Sequence, residues 1–257
     1  MSKTNKYLSL ALATVLLSAC GGGSKSSQND GKGSIDFAKY FPSESMSKAY
    51  IMRTRTLGTP KTTFRTETIE VTGKTITTRE KTKVIEEVNI SDKNITITTY
   101  TDIDSKHAKT LVHSMYRKID IGDKIFPQKI NSTTTNSLGK ITQNSTASCI
   151  VKSKEKKFEK GDYLYEGDLL KLECVAKGKV IYEIKQDILD AGVANDLNGA
   201  HETYDKWYVY YKKGLGEVAV INDNCILNVK TPLIVNDNAK ASECKSKPYS
   251  YEFYVEQ

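Results

Sequence analysis

The sequence predicts a mainly β protein: an antiparallel curved sheet or meander, half-barrel or two-lobed in outline, with little helix beyond its first twenty residues. Three observations predict it. Apolar and polar residues alternate at period two through segments rich in Thr, Ile and Val, the pattern of half-buried strands. Short polar turn signals punctuate those segments at regular intervals. No long amphipathic helical stripe occurs, which argues against a parallel sheet with covering helices.

The elements follow from that alternation. Thr62 to Thr72, Val84 to Ile90 and Ile95 to Tyr100 read as strands, separated by hairpin turns at Thr72-Gly73-Lys74 and Ser91-Asp92-Lys93-Asn94. Few large apolar residues sit on either face, so this first half predicts a sheet with one solvated side. The pattern continues from Lys109 to Ile119, turns at Asp120-Ile121-Gly122-Asp123 and resumes from Lys124 to Ile130. The polar stretch Asn131 to Ser148 is either a hinge subdividing the domain near 131–148 or a broad solvated loop.

The second half carries more apolar bulk. Strands are expected at Asp162 to Tyr165, Leu169 to Ala176 and, after a turn at Gly178, Val180 to Gln186. Asp187 to His201 has room for a short helix. In Tyr204 to Lys213, Trp207, Val209 and Tyr211 point one way and Tyr208 and Tyr210 the other. Gly214-Leu215-Gly216 turns the chain, Glu217 to Ile221 and Cys225 to Lys230 form separate strands, and Pro248 to Val255 closes the domain.

The N-terminus carries a different signal. Lys3 and Lys6 precede an apolar run from Tyr7 to Leu17, too short to span a bilayer, and Leu17-Ser18-Ala19-Cys20 closes it. This arrangement resembles a bacterial lipoprotein signal peptide with its lipobox. The resemblance implies removal of residues 1–19 and acylation of the Cys20 thiol by palmitate-type chains. Two or more such chains anchor a protein stably to a membrane. Residues 20–34, the lipidated Cys and a run of Gly, Ser and polar residues, read as a flexible tether with a reach of roughly 20 Å, and 35–257 as the β-rich globular domain. Gly21 directly after the lipidated Cys resembles outer-membrane sorting, which places the protein in the cell envelope, facing the periplasm or the surface.

Composition excludes several functions. The chain of 257 residues has 27% charged and 38% hydrophobic residues, as in a soluble globular domain. Its formal charge of +7 falls to +5 from Cys20 onward, because Lys3 and Lys6 leave with the signal. No dense Lys/Arg block occurs, so no nucleic-acid partner is expected. Cys149, Cys174, Cys225 and Cys244 form an even set in an exported chain, which suggests two disulfides. Of three pairings, Cys149 with Cys174 and Cys225 with Cys244 is favoured by nearness in sequence. No CxxC pair exists and no His lies at ligand spacing, so no metal is expected there.

Catalytic constellations are not apparent either. His107 and His113 would share one strand face but sit about 20 Å apart. His201 has no Ser or Cys elbow nearby, and Asp102 and Asp104 have no partner pattern. Asp196-Leu197-Asn198-Gly199 resembles the middle of a calcium loop, but Ala194 and Asp205 stand where its first and last ligands belong, so an Asn-Gly turn is the simpler account. Gly214-Leu215-Gly216 lacks the spacing and the following helix of a phosphate cradle. No cofactor is expected.

The segment Trp207 to Val218, an aromatic strand running into a Gly-x-Gly turn, resembles uncharacterised secreted or lipid-anchored bacterial β-proteins. Tyr is abundant, 15 against six Phe and one Trp. Trp207, Tyr208, Tyr210 and Tyr211 are therefore the candidate face for a ligand or an envelope protein or glycan partner, against a plain core hairpin. Two functions remain: a non-enzymatic structural or interaction module, or a carrier cupping an apolar ligand in a concave sheet. Whether inward-facing residues fill the concavity discriminates them.

Overall fold

A computed structural model describes residues 32–56, 59–101, 109–135, 139–190, 198–226 and 246–255. The chain is mainly β and antiparallel, as the alternation predicts. The first half is a run of hairpins: β2 (Met46–Thr56), β3 (Thr59–Thr72), β4 (Thr75–Glu80), β5 (Lys83–Ile90), β6 (Asn94–Thr101) and β7 (Lys109–Tyr116). The second comprises β9 (Lys124–Thr135), β10 (Gly139–Lys160), β11 (Tyr163–Ile184), β12 (Gly199–Lys212) and β13 (Gly216–Ile226). The last strand, β14 (Ser246–Val255), inserts between β2 and β13 and joins both runs into one twelve-stranded sheet.

Three of the glycines expected at turns lie in turns. Gly73, Gly122 and Gly214 all take positive φ at their turns, a conformation glycine adopts without strain. The 310 turn Phe37–Tyr40 and a short helix α1 (Gln186–Asp190) are the helical elements among the described residues.

Four readings need correction. The described part of Asn131 to Ser148 is not a loop: β9 runs to Thr135 and β10 begins at Gly139, and Asn131 to Thr135 pair in register with Lys140 to Asn144. Gly178 is not a turn but lies inside the continuous β11, opposite Ser145. A Cβ there would come within 2.2 Å of the Ser145 Cβ, so glycine permits close approach of the two backbones. Glu217 to Ile221 and the first two residues of the strand expected at Cys225 to Lys230 lie on one strand, β13, and 227–230 fall outside the described residues. The reading from Lys109 to Ile119 breaks at Arg117, after which β8 (Lys118–Ile119) pairs with β1 (Ile35–Asp36) in a ladder of its own.

The sheet curls on itself without closing into a barrel. Ile69, Ile76, Val88, Ile95, Ile97 and Met115 from the first half share one core with Ile125, Val151, Leu170, Leu172 and Val209 from the second. Between them sits an aromatic plug from the start of the domain, Phe37, Tyr40 and Phe41, at 0%, 7% and 6% exposure. The Phe37 ring meets Phe41, Phe126 and Tyr211 edge-on at 5.2, 6.1 and 5.3 Å. The edge strands β7 and β9 approach at His113 and Phe126, whose ring centroids are 6.2 Å apart.

A second core lies on the other side of β12. The β10–β11 hairpin has two strands of 22 residues, and its ladder is broken by irregularities at Val151/Ser153 and Glu155/Lys157. Straight, it would be roughly 70 Å long, and the bulges let it bend. Its tip folds over β12, β13 and β14, where Phe158 and Tyr165 pack with Tyr210, Val218, Ile221, Val255 and Tyr50. Tyr165 Oη donates to the Val255 carbonyl at 2.5 Å, and at the tip Asp162 and Tyr163 meet Arg53 of β2.

Candidate functional site

The residues singled out in the sequence fall partly inside and partly outside the described structure. Cys149 and Cys174 face each other across β10 and β11 and are joined by a disulfide, S–S 1.99 Å, buried in the first core. Cys225 lies on β13, its side chain outside the described structure. Cys20, Cys244, Asp102, Asp104, His107, Ala194, Asp196 and Leu197 also fall outside the described residues. The imidazole of His113 is lowered in pKa by burial beside Phe126. Asn198 Oδ1 accepts a hydrogen bond from the Ile184 amide at 3.1 Å, a local structural role.

The aromatic strand splits between the two cores. Trp207, Val209 and Tyr211 pack on the first. Tyr210 is buried in the second, 4.3 Å from the Phe158 ring, and Tyr208 packs beside it. Lys171 and Lys206 lie over the Tyr208 ring at 4.9 and 5.5 Å. These four aromatic residues therefore do not share one open face.

The chemically distinctive cluster was not read from the sequence. Lys48 on β2 and Glu67 on β3 are direct cross-strand partners, 4% and 5% exposed. Beside them Tyr50 pairs with Arg65, which bonds Glu67 and lies over the Tyr50 ring at 5.9 Å. Glu86 of β5 and Glu217 of β13 complete the group, and Lys48 Nζ donates to the Glu217 carbonyl at 3.4 Å. A Cβ on Gly216 would stand 3.2 Å from both Lys48 Nζ and the Pro42 Cδ, so the cluster lies under the aromatic plug.

Glu67, Glu86 and Glu217 all act on the buried Lys48, while the Arg65 guanidinium that bonds Glu67 stays partly in solvent. Burial first, then Glu67, raises Glu86 to about 7; burial first, then Glu86, raises Glu217 to about 7. Burial lowers Lys48 to about 8 despite the opposing pull of Glu217, Glu67 and Glu86. Burial also raises the Tyr50 and Tyr211 phenols, so both stay protonated. The arrangement ties β2, β3, β5 and β13 together and exchanges protons near neutrality. Its signal was phase: Lys48 alternates with Met46 and Tyr50, Glu67 with Ile69, and Glu86 with Val88, all of which pack into the two cores.

Compared with known protein families, curated proteins and solved structures, the chain matches none.

Proposed function

We propose that this protein is a lipid-anchored, non-enzymatic interaction module of the cell envelope, held at the outer membrane through acylated Cys20 and offering its surface to a protein or glycan partner. The observation that carries this reading is the filled concavity. Where a carrier of an apolar ligand would keep an open chamber, Phe37, Tyr40 and Phe41 occupy the space between the two halves of the sheet. The ionic cluster is structural, because its members bond one another: Arg65 with Glu67, and Lys48 with the backbone of Glu217.

Two measurements test the proposal. Cys20→Ser should move the full chain from the membrane fraction to the soluble fraction, and an unchanged membrane fraction would remove the anchor. Native mass spectrometry of that released chain should give the bare polypeptide mass. Extra mass lost on denaturation would instead identify a carried ligand and replace the module by a carrier.

A further inference from the structure

A basic cleft of about 410 Å³ opens where the tether enters the domain, lined by Ser34 and by Lys39, Lys118, Lys154, Lys156 and Lys213. These lysines come from four separate places: the 310 turn, β8, β10 and the β12–β13 turn. The fold assembles them, so no Lys/Arg block appears in the sequence. Their backbones are fixed, since the Lys39 carbonyl accepts from the Gly214 amide at 2.8 Å. Ser34 N and Oγ both donate to Asp120 Oδ1, at 2.8 and 2.6 Å, which pins the end of the tether at the cleft mouth.

Three carboxylates also line the cleft, but two are engaged by cations outside its lining. Asp36 takes a two-pronged contact from Arg117 at 2.7 and 2.8 Å, and Glu155 lies 3.8 Å from Lys171. Asp168 meets Lys156 at 2.5 Å and Lys213 at 3.6 Å, Lys118 acts on Asp36, and Lys154 acts on Asp120 at the mouth. Five lysines against three lining carboxylates still leave a positive surplus in an open concavity, which suits an anion and not an apolar chain.

We propose that this cleft docks on the phosphate-bearing headgroups of the membrane that holds the anchor, so that the domain lies against the bilayer at the tether's exit. The proposal rests on the lipid-anchor reading, which supplies the occupant. A tether with a reach of roughly 20 Å keeps the cleft close to the headgroups. Screening limits attraction between exposed charges to about 8 Å at physiological salt, so the lysines act only on contact. Tethering makes that contact effectively intramolecular, and a weak surface then suffices.

The test uses the full chain carrying Cys20→Ser, so that vesicle binding is read without the acyl chains. At about 0.01 M salt, where charge attraction reaches about 30 Å, it should sediment with vesicles of phosphatidylcholine containing phosphatidylglycerol and not with phosphatidylcholine alone, while at physiological salt it stays soluble without its anchor. Lys39→Glu with Lys154→Glu should weaken that binding by about tenfold or more. Lys61→Glu with Lys83→Glu, the same charge change on β3 and β5, should leave it within about twofold. The milder pair Lys39→Gln and Lys154→Gln, with a thermal midpoint for every variant, guards against misfolding.

Equal losses from both reversals, or no loss from the cleft pair, would overturn the proposal. So would displacement by inorganic phosphate but not by chloride at the same ionic strength, which would assign the cleft to a free anion. Failure of the anchor is read separately, as wild-type protein that fractionates with membranes no more than Cys20→Ser does.

Discussion

The two halves of the sheet reach stability by different routes. Strands β2 to β7 are hairpins of Thr and charged residues whose buried apolar side chains lie on one face, and Phe64 on β3 is left 74% exposed. In the other half β10 and β11 reach 22 residues and carry the disulfide, and side chains are buried on both faces because the β10–β11 tip folds back over β12 to β14. A half with one apolar face must find a cover. Here the cover is the other half and the Phe37 plug, so the domain's first residues hold together strands from both runs.

The largest expected effect comes from breaking that dependence. Phe37→Ala should cost about 3–5 kcal/mol, the range for a fully buried aromatic residue, read as a lower denaturant midpoint. Hydrogen exchange should show lost protection in β3 to β7 as well as in β9 to β12. Loss confined to the first half would mean that the halves are independent.

Removing the disulfide is the complementary change. Cys149→Ala with Cys174→Ala should cost about 3 kcal/mol by loop entropy, with exchange rising first in β10 and β11. Gly178→Ala, forced against Ser145 in the same ladder, should cost about 1–3 kcal/mol by overpacking, read from the thermal midpoint. A neutral result there would mean that the two backbones can separate without loss.

The ionic cluster, built from both halves, predicts a pH dependence with a defined sign. Between pH 4.5 and about 7 the folded chain keeps protons on Glu86 and Glu217 that the unfolded chain releases, so stability falls as pH rises. Between about 8 and 10.5 the unfolded chain keeps a proton that Lys48 has shed, so stability rises. The contribution of these three groups has a minimum between pH 7 and 8. Thermal midpoints across that range should show the dip, and Glu217→Gln should flatten its acid side; a midpoint that rises steadily from pH 4.5 would exclude it.

The smallest effect is expected at Phe64. Phe64→Thr should shift stability by within about 0.5 kcal/mol, because the ring is already in water. A loss of several times that would place a hidden contact on the solvated side of the first half.

The sequence by itself determined the antiparallel β class and most of its strands, the turns at Gly73, Gly122 and Gly214, the division of Trp207, Val209 and Tyr211 from Tyr208 and Tyr210, and the cysteines available for pairing. These are local properties: side chains alternate in a strand, and glycine alone takes positive φ without strain. Gly178 was misread because a glycine allowing two backbones to touch looks, in sequence, like one that turns the chain. Lys48, Glu67, Glu86 and Glu217 went unnoticed because strand charges are usually solvated, and their phase with buried neighbours gains meaning only once the sheet has a cover. Tertiary structure alone decided the insertion of β14 between β2 and β13, the fold-back of the β10–β11 tip and the gathering of five lysines beside Ser34. All three join residues far apart in sequence, and local periodicity specifies which face of a strand is buried but not what buries it.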